Sequence, residues 1–180
     1  MKTKILKLSI IILLFSLIGA GCEKENEELQ LPPITQSGAG TLGCLVNGEI
    51  FVAKNWMFGP AIGASNNQWE DRRWVINGVG DNHTVVLEIC RDLVIKGEAI
   101  LKGPFEESCS NSMIYFSSYP SLTASFQTSD KNVGKVFISR FDTTNRIISG
   151  TFYFDAVNSS GEKVEIRDGR FDVKFINYEP

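Results

Sequence analysis

Residues 146–176 decide the fold of this chain, and they read RIISGTFYFDAVNSSGEKVEIRDGRFDVKFI. In the first part, Phe152 and Phe154 alternate with Thr151 and Tyr153. A period of two places the two sets of side chains on opposite faces of a β-strand. The stretch therefore predicts strands with one buried aromatic face and one polar face.

Two turn signals divide this stretch. Gly161 ends a run of Asn and Ser residues, and Asp168-Gly169 follows a second alternating run. Gly, Asn and Asp favour tight turns, so we predict an antiparallel meander of three strands with one buried face. The three strands are 146–156, 163–167 and 170–176.

Upstream residues predict more strands and no helix. Leu42, Cys44 and Val46 alternate with other residues before Asn47-Gly48, and Asn-Gly between two extended runs predicts a hairpin with a type I′ turn. About nine or ten short strands predict an all-β fold, a single antiparallel β-sandwich or flattened barrel. The other candidate strands are 49–54, 73–77, 84–90, 113–118, 122–126 and 135–141.

Three segments carry a resemblance to a known family: TLGCLVNGEIF at 41–51, FDTTNRIISGTFYF at 141–154 and GRFDVKF at 169–175. In these segments the chain resembles a group of Bacteroidota surface lipoproteins that share a domain of unknown function. The resemblance implies an all-β domain anchored at the cell surface. It implies no activity and no catalytic residue.

The N-terminus has the pattern of a lipoprotein leader. Three lysines precede an apolar run over 8–18, and Ala20-Gly21 then leads into Cys22, the predicted lipidation site. The apolar run is shorter than the roughly 20 residues that a membrane-spanning helix needs. An ordinary secretory peptide cleaved after Ala20 is the alternative.

The predicted organisation is a signal peptide at 1–21, a flexible tether at 22–40 and the all-β domain at 41–180. The tether is acidic and then rich in Pro and Gly, and its root-mean-square span is about 25 Å. Its acidic cluster resembles the surface-export signal of Bacteroidota lipoproteins. We therefore expect a lipid-anchored outer-membrane protein that faces the cell surface, with the periplasmic face as the alternative.

Composition excludes several function classes. Removal of 1–21 takes away three lysines and no acidic residue, which leaves 15 basic against 21 acidic side chains and a formal net charge of −6. Nucleic acid is therefore not an expected partner. His83 is the only histidine and lies in a run typical of a solvated turn. We predict no catalytic residue, no metal site and no cofactor.

Cysteine pairing is the next prediction. With Cys22 lipidated, Cys44, Cys90 and Cys109 remain, an odd number in an oxidising compartment. We predict a disulfide between Cys90 and Cys109, which lie at the edges of an irregular stretch. Cys44 shares an apolar face and is expected to be a buried thiol. A bridge from Cys44 to either of the other two stays open.

The irregular stretch from 55 to 74 holds the candidate ligand-binding residues Trp56, Trp69 and Arg72. Long loops of this kind are often functional, and aromatic faces beside polar side chains suit a sugar. The alternative is that the tryptophans of this stretch cap one end of the sandwich. Of Trp56, Trp69 and Trp74, we expect Trp74 to have a structural role.

Two functions follow from these patterns. The first is a non-enzymatic binding or structural module on the cell surface, with carbohydrate or neighbouring envelope proteins as partners. The second is a carboxylate-dependent hydrolase of extracellular glycans, which requires two acidic side chains that face one cleft.

We expect Cys22→Ser to release the protein from the membrane fraction or to block its processing. The physical reason is that each buried acyl CH₂ contributes about 0.8 kcal/mol to membrane binding. Fractionation and electrophoretic migration measure this, and a variant that behaves as the wild type in both would contradict the lipoprotein prediction.

Overall fold

The computed structural model describes residues 29–54, 62–67, 73–103, 110–118 and 121–176. Within these ranges the chain is almost entirely β, with eleven strands and one helix of six residues, which confirms the predicted fold class. The elements are β1 (Thr41–Val46), β2 (Glu49–Val52), β3 (Ile62–Asn67), β4 (Arg73–Val79), β5 (His83–Cys90), α1 (Arg91–Lys96), β6 (Glu98–Leu101), β7 (Asn111–Ser118), β8 (Ser121–Gln127), β9 (Gly134–Asp142), β10 (Ile147–Val157) and β11 (Lys163–Ile176).

The strands form one curled sheet. Their order is β2-β1-β11-β3-β4-β5-β7-β8-β10-β9-β6, and β10 also pairs with β11 along nearly its whole length. Two short pairings, Phe175 with Ala64 and Val157 with Gln127, join the front strands β2-β1-β11-β10-β9-β6 to the back strands β3-β4-β5-β7-β8. The result is a half-barrel, and the pairing of β3 with β11 is its one parallel pairing among the described strands.

The hairpin predicted at Asn47-Gly48 is confirmed. Asn47 has φ 51° and Gly48 has φ 87°, the positive values that a type I′ turn requires. The strands on either side pair antiparallel, with Val46 opposite Glu49.

The predicted turn at Asp168-Gly169 is wrong. β11 continues through both residues as a single strand, so the predicted strands 163–167 and 170–176 are one. Asp168 is left-handed, with φ 49°, and β11 gains one residue against both β1 and β10 at this point. Asp and Gly often form turns, but at this position they form a β-bulge, because β10 and β1 pair with the strand on both sides.

The core lies between the front and back strands. Trp74 of β4 is 4% exposed, and its ring meets those of Phe141 and Phe175 at centroid distances of 5.2 and 4.7 Å. Phe152 and Phe154 of β10 are also buried, as their alternation predicted. The prediction that Trp74 is structural is therefore confirmed.

Three elements were not predicted: β3, β6 and α1. Each is four to six residues long and has weak periodicity.

His83 also differs from its predicted place in a solvated turn. It begins β5, is half-buried, and packs edge to face on Phe51 at 6.0 Å between centroids.

We expect Trp74→Ala to lower the free energy of unfolding by about 3–5 kcal/mol, because a buried ring is replaced by a cavity. Chemical denaturation measures this. Ile95→Ala is the control, since Ile95 is 69% exposed and its truncation should cost less than about 0.5 kcal/mol. Similar losses in the two variants would contradict the assigned core.

Candidate functional site

An open groove lies on the outer face of β9, β10 and β11. Its volume is about 300 Å³. Aromatic, hydroxyl and charged side chains meet in it, which distinguishes it from the apolar interior. Its lining residues are Ile34, Phe137, Thr151, Phe152, Tyr153, Arg167, Asp168, Gly169 and Arg170.

Two exposed aromatic residues form the floor of this groove. Phe137 is 40% exposed and Tyr153 is 46% exposed, because Val136 and Phe154 beside them in sequence point into the core. Phe137 pairs with Thr151 across the strands, and Tyr153 is two residues farther along β10. Diagonal positions on neighbouring strands are close, so both rings offer apolar surface to the same groove.

The edge of the floor carries a cation. Lys135 Nζ lies 4.7 Å from the centroid of the Phe137 ring, within the distance of a cation–π contact. The same Nζ is 2.8 Å from a carboxylate oxygen of Glu98. The charge of Lys135 is therefore partly neutralised, and its ammonium lies over the Phe137 ring.

The two arginines of the groove differ in their partners. Arg167 is paired with Asp155 at 2.6 Å and with Glu165 at 3.5 Å. Arg170 donates from Nε to the Asp168 carbonyl at 3.1 Å and from a terminal nitrogen to the Pro32 carbonyl at 3.4 Å. Among the described residues no carboxylate pairs with Arg170, so its guanidinium keeps donors for a ligand.

The β-bulge shapes the wall of the groove. Gly169 packs directly on Phe152, and a Cβ at position 169 would lie 2.6 Å from that ring. Ile166 and Phe171 are both buried although they are five residues apart, so the extra residue of the bulge lets Arg167 and Arg170 both face outward and line the groove. Bulges often re-aim side chains beside functional sites, and this one lies at the wall of the groove.

Residues 32–40 form a segment, here called the strap, that lies on the outer face of the front strands. Thr35 Oγ1 donates to the Asp172 carboxylate at 2.6 Å. The amides of Ser37, Gly38 and Ala39 donate to the same carboxylate at 2.9, 2.8 and 3.1 Å. The predicted flexible tether 22–40 is therefore fastened to the sheet over its second half.

Asp172 is the centre of this attachment. It alternates with Phe171 and Val173 and so lies on the outer face of β11, yet it is only 1% exposed because the strap covers it. Ser149 Oγ of β10 donates a further hydrogen bond to it at 2.7 Å. A buried carboxylate is stable only with such a set of donors.

The hydrogen bonds set the charge state of Asp172. Burial raises the pKa of its carboxyl, but the bonds from Ser149, Thr35 and the strap amides stabilise the charged form more strongly. The pKa of Asp172 therefore lies well below its usual value. Asp172 is a structural anion, with its lone pairs engaged.

A second cavity, of about 490 Å³, lies between α1 and β6. Its described lining has one carboxylate residue, Glu98, and that residue pairs with Lys135. The groove likewise has one, Asp168. Neither described lining therefore supplies the pair of carboxylates that a glycosidase uses. In the part of the chain that the structure describes, no His, Cys, Asp and Glu side chains cluster as metal ligands would.

Several predicted site residues lie outside the described residues. They are the lipidation site Cys22, the bridge partner Cys109, and the candidate ligand-binding residues Trp56, Trp69 and Arg72. The bridge of Cys109 with Cys90 stays a prediction. No helix within the described ranges is long and apolar enough to cross a membrane.

Cys44 is a free, fully buried cysteine. Burial raises the pKa of its thiol to about 12. Since the thiolate is the reactive form, Cys44 is not a nucleophile at neutral pH. The prediction of a buried thiol at this position is confirmed.

One comparison with known proteins is informative. A family model described as a domain of unknown function, DUF6252, matches residues 46–173. The chain belongs to this family. The match confirms the predicted resemblance to a family of unknown function, while the Bacteroidota origin and the terminal motifs stay predictions. No curated protein and no solved structure matches the chain.

The DUF6252 match includes the sheet part of the site but not the strap. It covers Asp172 and the sheet residues of the groove, and it begins after the strap. Sequence reasoning placed Tyr153 on an outer face but did not identify Phe137 or Arg170 as site residues. The alternation of β9 could have identified Phe137. It lies between Val136 and Ile138, so a period of two predicts that its ring faces outward.

We expect Asp172→Asn to lower the free energy of unfolding at pH 7 by about 3 kcal/mol, because hydrogen bonds to a charged group are lost. The folded-state pKa of Asp172 is depressed, so its contribution is present above the unfolded pKa of about 3.9 and is lost as pH falls towards the folded value. The difference between wild type and variant should therefore shrink below about pH 4.

Urea denaturation at several pH values measures this difference. Asp130→Asn is the matched control, since Asp130 is exposed. A difference between wild type and Asp172→Asn that stays constant from neutral to acidic pH would show that the carboxylate charge is not what stabilises the strap.

Proposed function

We propose that this member of the DUF6252 family is a non-enzymatic binding module of the cell envelope, and that its outer groove binds a neutral oligosaccharide. The observation that carries the proposal is the joint exposure of Phe137 and Tyr153 beside the donor groups of Arg170. Exposed aromatic rings next to unpaired polar groups are expected where a ligand covers them.

The chemistry of the groove matches that of a sugar ring. The apolar CH faces of a pyranose pack on the rings of Phe137 and Tyr153. Its hydroxyl groups can accept hydrogen bonds from Arg170 and donate to the Asp168 carboxylate, and Thr151 can do either. A groove of about 300 Å³ is at the lower end of the range for small-molecule sites, so it suits a short part of a longer glycan.

The charge balance favours a neutral ligand. Arg167 is neutralised by Asp155 and Glu165, and Arg170 shares the groove with one carboxylate residue, Asp168. A strongly anionic ligand would face Asp168 and lose the advantage of the guanidinium. A neutral glycan makes hydrogen bonds to both groups without this penalty.

The sequence supports a location for this activity. We propose that residues 1–21 are removed as a lipoprotein signal peptide, that Cys22 carries the lipid, and that the domain faces outward from the outer membrane. The proposed disulfide between Cys90 and Cys109 fits such an oxidising compartment. A glycan-binding module with a lipid anchor would hold polysaccharide or a glycosylated neighbour at the envelope.

The hydrolase alternative has less support. It needs two carboxylates that flank one cleft, and the described lining of each cavity has a single carboxylate residue. The groove of the proposal can bind and orient a sugar, and among the described residues that line it Asp168 is the single carboxylate.

We expect Phe137→Ala and Tyr153→Ala each to weaken oligosaccharide binding about tenfold or more, equivalent to about 1.4 kcal/mol. Both rings are exposed, so the free energy of unfolding should change by less than about 1 kcal/mol. A glycan array followed by calorimetry on the best oligosaccharide measures binding.

Val133→Ala is the matched control for these variants. Val133 is 45% exposed, similar to Tyr153, and does not line the groove. Its truncation should leave both binding and stability unchanged. An array without any bound glycan, or ring variants that bind as tightly as wild type, would reject the proposed function.

A further inference from the structure

We propose that the strap is part of the binding site: Ile34 contacts the bound oligosaccharide, and Asp172 is a positioning residue that holds the strap in its binding-competent place. Ligand binding and strap docking are then coupled. This inference rests on the proposed function, since it concerns the ligand of the same groove.

The first attachment of the strap is the Asp172 carboxylate. Four donors from the strap, one hydroxyl and three amides, lie within 3.1 Å of its two oxygens. The sheet supplies one donor, Ser149. Because most of the donors belong to the strap, its release would leave a charged group on the outer face with one protein partner and water.

The second attachment is at Pro32. Its ring lies over Gly43 of β1, where a Cβ would come within 2.6 Å of the Pro32 Cδ. Its carbonyl accepts the hydrogen bond from Arg170, a residue of the groove. The absence of a side chain at position 43 therefore lets the strap approach the sheet beside the groove.

Ile34 lies between these two attachments. Its side chain is 62% exposed and lines the groove together with Phe137 and Tyr153. The strap thus presents an apolar side chain to the groove from a segment whose position depends on Asp172 and Gly43. A sugar ring on the aromatic floor would also meet Ile34 at the wall.

Coupling follows from this geometry. A ligand that touches both Ile34 and the sheet binds the docked strap more tightly than the released strap, so it shifts the population towards docking. Conversely, a change that releases the strap lowers the apparent affinity, which equals the affinity of the docked form multiplied by the fraction of protein that remains docked.

The test combines hydrogen–deuterium exchange with binding, on the mature chain. The probes are cellohexaose, laminarihexaose, maltohexaose and xylohexaose. In the wild type, a bound hexaose should slow amide exchange of residues 37–39. Asp172→Asn should speed exchange of these amides about tenfold or more and weaken hexaose binding, while exchange in β10 stays slow.

Three further variants keep the test decisive. Ile34→Ala removes only an exposed side chain, so it should fold normally and weaken hexaose binding several-fold without faster exchange at 37–39. Gly43→Ala should displace Pro32 and so weaken hexaose binding by disturbing the second attachment of the strap. Val164→Ala, in the core of β11, is the control for general destabilisation and should leave hexaose affinity unchanged.

The outcomes separate the two proposals. If the wild type binds a hexaose and Ile34→Ala and Asp172→Asn bind it equally well, the strap is not part of the site and the proposed function stands. If the wild type binds none of the hexaoses, the proposed function and this inference both fall. If binding weakens in Ile34→Ala and Asp172→Asn but not in Val164→Ala, the inference is supported.

Discussion

The buried carboxylate of Asp172 is the interaction on which the outer face of this protein depends. Placing a charge at 1% exposure costs several kcal/mol unless its oxygens are hydrogen bonded. Here the cost is offset by Ser149 and by donors from a segment more than 130 residues away in sequence. One side chain thus joins β10, β11 and the strap, and so fixes the wall of the groove.

The groove arises from two local features of the front strands. The bulge at Asp168 adds one residue to β11 without ending the strand, and the lack of a side chain at Gly43 lets Pro32 approach the sheet. The core beneath, centred on Trp74, carries the stability of the fold. Exposed rings such as Tyr153 are therefore not needed for the stability of the core.

Local pattern predicted much of the fold and little of the site. The alternation of Phe152 and Phe154 with Tyr153 identified the strand and its faces, because a period of two is a property of neighbouring residues. Asp168-Gly169 misled, since the same residues suit a turn or a bulge and only the pairing of adjacent strands decides between them. The alternation of Asp172 with Phe171 and Val173 indicates only a polar outer face. The segment that covers Asp172 is distant in sequence, and no local pattern reveals it.

If the chain is anchored by a lipid, as proposed, the attachment of the strap to the sheet limits how far the domain can stand from the membrane. If Cys22 carries the lipid, as proposed, ten residues, 22–31, lie between the lipid and Pro32, and a chain of that length spans at most about 36 Å. The chain would leave the domain at Pro32, beside the groove. The groove would then stay within about that distance of the lipid head groups, and glycans rooted in the same membrane would be within its reach.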